Sequence, residues 1–375
     1  MRYFLIAGEA SGDLHASNLM KGLFECDPQA QMRYWGGDMM CSVGGQLLHH
    51  YKEGAVMGLG DVFSKAGLLL RNIRQCKKDI VEFAPDVLIL IDYPGFNMKM
   101  AKFAHKKGIK VFYYIAPKTW ASRQYRNKAL KRYVDMLYIV FPFEIPYFTK
   151  CGIPFVYKGN PLVEAVENYS YTPACVDSDY VALLPGSRKA EISRTMPLCM
   201  ELADKMHADN RFRGYKFIVA GAPSRDESDY APFLDGRQEY VKVVYGQTYS
   251  VLKGAKMAVV NSGTASLEAA LIGTPQMVCW STSPLTAYFA RNVLHVMDKI
   301  KYVSLGNLIV DSLVFKEFIQ EDFNIDNLWA ETLRILGDGS YTEKMLQGYA
   351  KIKKALGQGG ASRAYARDMI DRLRG

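Results

Sequence analysis

Residues 258–275, Ala-Val-Val-Asn-Ser-Gly-Thr-Ala-Ser-Leu-Glu-Ala-Ala-Leu-Ile-Gly-Thr-Pro, combine types that could hold a phosphate. The apolar run 257–260 predicts a buried strand, residues 261–264 a tight turn, and 265–272 a helix stopped by Gly273 and Pro275. Such a turn presents free N–H groups and the positive end of the helix dipole, and the small residues Ser262, Gly263 and Thr264 let an anion approach them. Glu268 lies one helical turn further in, at the depth where a carboxylate can take both hydroxyls of a ribose. A phosphate site followed by a ribose acceptor describes a nucleotide. The same pattern equally fits a plain helix start in an α/β sheet with Glu268 on its surface, and this window alone does not choose.

Three other stretches carry candidate chemistry. Pro-Asp-Val-Leu-Ile-Leu-Ile-Asp at 85–92 reads as a buried strand that delivers Asp92 to the carboxyl end of a parallel sheet, where open α/β sheets bind ligands and where burial tunes an acid. Pro-Gly-Ser-Arg at 185–188 puts a planar guanidinium, Arg188, beside a small-residue turn, a pairing suited to a diphosphate. Gly-Glu-Ala-Ser-Gly-Asp at 8–13 follows the apolar strand 3–7 and reads as a turn into a helix over 14–24. It lacks the G-x-G-x-x-G spacing of a dinucleotide site. The Asp177-Ser178-Asp179 triplet resembles a metal-binding pair but precedes a strand within the linker composition, and no metal site is assigned.

The elements that position these residues alternate strand and helix twice over. Strands at 3–7, 85–92, 110–115 and 136–141 form one series; strands at 180–184, 216–220, 241–244 and 257–260 form a second. Proline and small polar residues at 159–162 and 168–178 separate them. The resulting division is residues 1–168, residues 179–340, and a basic helical tail, 341–375, packing back on the first domain. Facing each other across a cleft, two such Rossmann-like α/β domains would put Asp92 on one wall and Arg188 with Glu268 on the other.

Composition narrows the classes. The chain has 375 residues, 49% of them hydrophobic and 23% charged, which suits two globular cores. A formal net charge of +9 favours anionic partners. No nucleic-acid reader motif accompanies that charge, so nucleic acid is excluded as a partner. Seven scattered cysteines without a C-x-x-C pair point to reduced thiols. The N-terminal apolar stretch is too short for a signal peptide, and no run approaches a membrane span. Within 57–78, Val62, Phe63, Ala66, Leu69, Leu70 and Ile73 recur at helical spacing among lysines and arginines. Such a basic amphipathic helix either lies in a membrane interface, with Val62, Phe63, Leu69 and Leu70 as its contacts, or crosses over the sheet with its stripe inward.

Taken in order, the motifs at 8–13, Ile-Asp-Tyr-Pro-Gly-Phe-Asn at 91–97, Leu-Pro-Gly-Ser-Arg at 184–188, Ser-Gly-Thr-Ala-Ser-Leu-Glu at 262–268 and Tyr-Val-Ser-Leu-Gly-Asn at 302–307 resemble the lipid-A-disaccharide synthase family. The resemblance implies an inverting glycosyltransferase of the two-Rossmann-domain (GT-B) type. Such an enzyme moves 2,3-diacylglucosamine from UDP-2,3-diacylglucosamine to the 6-hydroxyl of 2,3-diacylglucosamine 1-phosphate, without a cofactor. It implies Asp92 as the catalytic base, Glu9, Ser11, Asp13, Asn97 and Asn307 in substrate binding, and Ser187, Arg188, Ser262, Gly263, Thr264 and Glu268 around UDP. It also implies a peripheral protein on the inner face of the cytoplasmic membrane, with homo-oligomers left open. Where the family commonly has Pro and His, this chain has Gly306 and Asn160, and His15 replaces a residue that is often apolar. Gly306 is expected to loosen the loop presenting Asn307. The rival readings are a UDP-sugar 2-epimerase of the same architecture and a non-catalytic protein that binds nucleotide sugars or an anionic membrane.

Overall fold

The computed structural model describes residues 1–54, 62–173, 176–282 and 301–375, without the side chains of 62–66. The chain divides into two units: unit 1 comprises Met1–Ala165 and Gln358–Gly375, and unit 2 comprises Val166–Gly357.

Unit 1 is built on seven parallel strands: β1 (Arg2–Ala7), β2 (Gln31–Gly36), β3 (Gln46–His50), β4 (Val87–Ile91), β5 (Lys110–Tyr114), β6 (Met136–Ile139) and β7 (Phe155–Tyr157). Their order is β3-β2-β1-β4-β5-β6-β7, so the direction of winding reverses between β1 and β4. Residues 3–7 and 87–91 are buried on both faces, which is why these two strands read as unbroken apolar runs. Four helices matter for the site: α1 (Ala10–Cys26), α2 (Asp38–Val43), α3 (Val62–Phe83) and α4 (Pro94–Lys106). The expected turn over 8–13 is shorter than its glycines suggest. Gly12 already belongs to α1, which begins at Ala10.

Unit 2 repeats the plan with β8 (Tyr180–Leu184), β9 (Lys216–Gly221), β10 (Val241–Tyr245), β11 (Met257–Asn261), β12 (Gln276–Trp280) and β13 (Glu317–Ile319). The order β10-β9-β8-β11-β12-β13 reverses between β8 and β11. Both sheets thus follow the dinucleotide-fold winding, in which ligands bind beyond the carboxyl ends of the strands at the reversal.

The basic tail does not travel as one piece. The helix Gly339–Leu356 stays in unit 2, where Tyr349 donates to the Thr274 carbonyl (3.0 Å). The helix Ala361–Arg374 belongs to unit 1 and packs on α1, where Gly22 leaves room for it: a Cβ there would lie 3.0 Å from the Arg363 Cα. Buried Glu164 accepts from the amides of Gly360 (2.9 Å) and Ser362 (3.2 Å) and caps that helix start. Buried Tyr365 accepts from Lys158 N (3.0 Å), with the carbonyls of Ile139 and Gly159 at 2.6 and 2.8 Å.

Candidate functional site

In unit 1 the register pairs Ala7 with Ile91, so the chain leaves β1 at Gly8-Glu9 and β4 at Asp92-Tyr93 on one level. Asp92 (φ 43°) and Tyr93 (φ 46°) both adopt the left-handed conformation. For side chains this costs on the order of 1–3 kcal/mol each and persists only where surrounding bonds impose it. Those bonds are present. Fully buried Asn97 donates through Nδ2 to the carbonyls of Asp92 (2.8 Å) and Ile91 (3.1 Å), and the Tyr113 hydroxyl donates to the Asp92 carbonyl (2.7 Å). The Asp92 amide donates to the Tyr114 carbonyl (3.1 Å). The result is a half-buried aspartate on a turn whose backbone is held at both its carbonyl and its amide.

Tyr93 is a wall of this site that the sequence did not announce. Its ring lies where a Cβ on Gly8 would be, 2.3 Å away, so glycine is required at position 8. Burial raises the Tyr93 pKa, and the negative charge of exposed Glu9 adds to the rise. Ser11, in the first turn of α1, is half-buried.

Two expected substrate contacts are turned to the protein itself. Buried Asp13 accepts from the amides of Gly37 (2.8 Å), Met39 (3.0 Å) and Met40 (3.2 Å), which caps α2; desolvation outweighs these bonds and raises its pKa. Asn97, as described, fixes the turn that carries Asp92. Both position the site rather than line it. His15 is a neutral core residue, its pKa lowered to about 4 by burial.

In unit 2 the pairing of Leu184 with Val260 brings the turn at 185–188 alongside the turn at 261–264. They approach so closely that a Cβ on Gly186 (φ 111°) would sit 2.8 Å from Asn261 Nδ2. Two helices, Lys189–Ala208 and Thr264–Ile272, start from these turns. No side chain caps the start at Gly263-Thr264, and Ser262, Gly263 and Thr264 are only half-buried, so its first-turn amides suit an anion. Ser187 and Arg188 are exposed beside it. The carboxylate of Glu191 accepts from the amides of Ser187 (3.0 Å) and Arg188 (3.2 Å) and from the Arg188 guanidinium (3.1 Å). A protein carboxylate therefore sits on the donors expected to take a diphosphate.

Glu268 faces Tyr249, whose hydroxyl donates to Oε1 (3.1 Å); desolvation raises the glutamate pKa to about 7 against that bond. Asn307 differs from expectation. It is buried, its Nδ2 donates to Phe315 O (2.9 Å) and Glu317 Oε1 (2.8 Å), and its Oδ1 accepts from Val314 N (2.9 Å). With Glu317 accepting from the amides of Val303 (2.8 Å) and Ser304 (3.0 Å), it ties the 303–307 segment to β13 and contacts no open surface. Gly306 does not loosen that segment. It lies in the helix Leu305–Val310 with the Phe315 ring 2.8 Å from where its Cβ would be, so tight packing takes the place of the expected freedom. Asn160 is buried, bonded to Val140 O (3.0 Å) and Leu162 N (2.9 Å).

On α3, Ile73, Cys76, Ile80 and Phe83 are buried in the core, so Ile73 leaves the proposed membrane stripe. Leu69 continues the Ile73, Cys76, Ile80 and Phe83 face but is 37% exposed, and Leu70, on the next face of the helix, is 54% exposed. The side chains of Val62 and Phe63 lie outside the described residues. Among the described residues no helix is long and apolar enough to cross a membrane.

Two doubly wound parallel sheets, each with polar groups at its reversal point, define a protein of the GT-B class. The family model for lipid-A-disaccharide synthetase matches residues 3–368, and the chain belongs to that family. It is 36% identical to the lipid-A-disaccharide synthase of Geobacter metallireducens, covering 99% of this chain and 97% of that one. In fold it is similar to a UDP-GlcNAc 2-epimerase from Neisseria meningitidis bound to UDP-GlcNAc (TM-score 0.70, 12% identity, 99% and 100% of the two chains). It is also similar to the calicheamicin glycosyltransferase (TM-score 0.58, 13% identity, 100% and 98%). At such identities the last two share architecture alone. The sequence relationship makes this chain a glycosyltransferase of lipid A biosynthesis that forms the lipid A disaccharide from acylated precursors, in place of the epimerase reading.

Proposed function

We propose that Asp92 takes the proton of the acceptor 6-hydroxyl as that oxygen attacks the anomeric carbon of UDP-2,3-diacylglucosamine from the face opposite UDP. One in-line displacement inverts the centre, and the proton passes to the Asp92 carboxylate as the bond to the diphosphate breaks. An oxocarbenium-like transition state needs a base and a charged sink for the leaving group. Arg188 and the amides at 263–265 supply that sink, with Ser187 and Ser262 beside them, and a bound metal is not required in this scheme. Glu268 holds the uridine ribose. Glu9 and Ser11 line the acceptor side.

The observation that carries this reading is the turn at Asp92-Tyr93, held in a costly conformation by Asn97 and Tyr113 at the reversal point of sheet 1. Strain maintained by dedicated hydrogen bonds is characteristic of functional turns. The exposed Leu69 and Leu70, with Arg71 and Arg74 exposed next to them, support contact of α3 with the inner face of the cytoplasmic membrane, where acylated substrates and anionic lipids reside. The test is disaccharide formation by purified protein from UDP-diacylglucosamine and diacylglucosamine 1-phosphate in the presence of a chelator. Product with inverted stereochemistry supports the scheme; strict dependence on divalent ions would refute its metal-free sink.

A further inference from the structure

Beside Gly8 and Tyr93 unit 1 holds a cavity of about 60 Å³ that the transfer chemistry leaves unused. Trp35, Phe96, Tyr93 and Leu69 supply apolar wall, and His49, Tyr51 and Asn72 add polar groups to it. The aromatic wall is preformed. Trp35 and Tyr93 each stack on Phe96 with ring centroids 5.7 Å apart, and Trp35 is pinned by donation from Nε1 to Asp79 (2.8 Å). His49 packs against Trp35 at 4.2 Å; desolvation lowers its pKa despite Glu53 at 3.0 Å, so the wall is uncharged at neutral pH.

We propose that this cavity takes a short stretch, about two methylenes, of one acyl chain of the acceptor, a claim that rests on the reading of unit 1 as the acceptor side with Asp92 as base. Tyr93 links the two. It follows Asp92 in the chain and forms cavity wall, so a sugar whose 6-hydroxyl reaches Asp92 is within a residue's length of the cavity. The wall is mainly aromatic and aliphatic, and a hydrocarbon chain gains from each methylene buried against it. The far side of the cavity is α3, where Leu69 lines the wall while Leu70 next to it is 54% exposed. A chain longer than the cavity therefore passes from Trp35 along α3 onto an apolar surface.

The experiment uses the full chain in detergent, with acceptors and donors whose acyl chains are shortened stepwise, and compares wild type with Asn72→Phe and Leu69→Trp, two substitutions that fill the cavity from α3 without entering the sheet core. Each methylene excluded from apolar surroundings changes binding by about fourfold. The KM for the long-chain acceptor is expected to rise roughly tenfold or more in both variants, while the KM values for a short-chain acceptor and for the donor move less than about twofold. A KM change equal for all acceptor chain lengths, or none, would overturn the proposal; so would a change confined to the donor series, which would give the cavity to the donor's chain. Thermal unfolding shows which variant is folded, and either suffices. Failure of the Asp92 reading appears elsewhere, as retained turnover in Asp92→Asn, and leaves the chain-length dependence of KM intact.

Discussion

Asp92 directly follows β4 and Glu268 lies in the helix after β11, and the tasks proposed for these two acids differ. Asp92 is half-buried on a turn whose carbonyl, not its carboxylate, is held by Asn97 and Tyr113, so substitution of the side chain leaves the turn standing. Asp92→Asn is expected to lower kcat by roughly a thousandfold or more while UDP affinity changes less than about twofold; parallel loss of UDP binding would make the residue structural. Glu268, with its pKa near 7, must be ionised to accept both ribose hydroxyls. UDP affinity should therefore rise as pH increases through about 7, and Glu268→Gln should abolish that dependence in a titration by calorimetry. The stability term has the other sign. A carboxyl whose folded pKa is raised stabilises the fold below its unfolded pKa, and the contribution is lost as pH rises through about 7. At this scale the sequence makes Asp92 legible because an acid terminates an apolar strand. It hides Tyr93, Glu191 and Glu317, whose roles depend on a left-handed backbone or on partners brought together only by folding.

Among elements, the helix Lys189–Ala208 starts with its own anion in place. Glu191 holds the amides of Ser187 and Arg188 and the Arg188 guanidinium, the donors proposed for a diphosphate. Binding of UDP must then displace a carboxylate. Glu191→Gln removes the competing charge while keeping a helix-compatible side chain, and UDP affinity should improve by roughly three- to tenfold; an unchanged affinity would mean these donors lie outside the nucleotide site. For α3, replacing Phe63 and Leu69 with Ser should reduce binding to anionic vesicles several-fold with little change in a detergent assay of short-chain substrates. Loss of thermal stability alongside would place that end of the helix in the core. Strands β1, β4, β8 and β11 were legible because both their faces are buried. Strands β2, β3 and β13 were not, since Gln31 and Arg33, His49 and His50, and Glu317 break their patterns, and their strand character comes from pairing with a neighbour.

For the whole molecule, the division into two units is visible in the doubled strand and helix pattern, but the course of the tail is not. Residues 339–374 are basic, and the glycine-rich break at 357–360 marks two helices, but only packing assigns the helix Gly339–Leu356 to unit 2 and the helix Ala361–Arg374 to unit 1. The second of these completes unit 1 by lying on α1 across Gly22, and no flexible neighbour can yield there: a Cβ would meet the Arg363 Cα at 3.0 Å, the Ala366 Cβ at 3.1 Å and the Ser362 carbonyl at 3.2 Å. Gly22→Leu puts a branched side chain against that backbone and forces the two helices apart. Overpacking of this kind costs about 1–3 kcal/mol, and separation also withdraws Tyr365 from Lys158. The variant should show earlier unfolding of unit 1 in urea, followed by the loss of β6 and β7 protection in hydrogen exchange. UDP affinity should stay within about twofold, because every group proposed to hold the nucleotide belongs to unit 2. A matching fall in UDP affinity would show that the units do not fold independently, and the assignment of nucleotide binding to unit 2 alone would have to be abandoned.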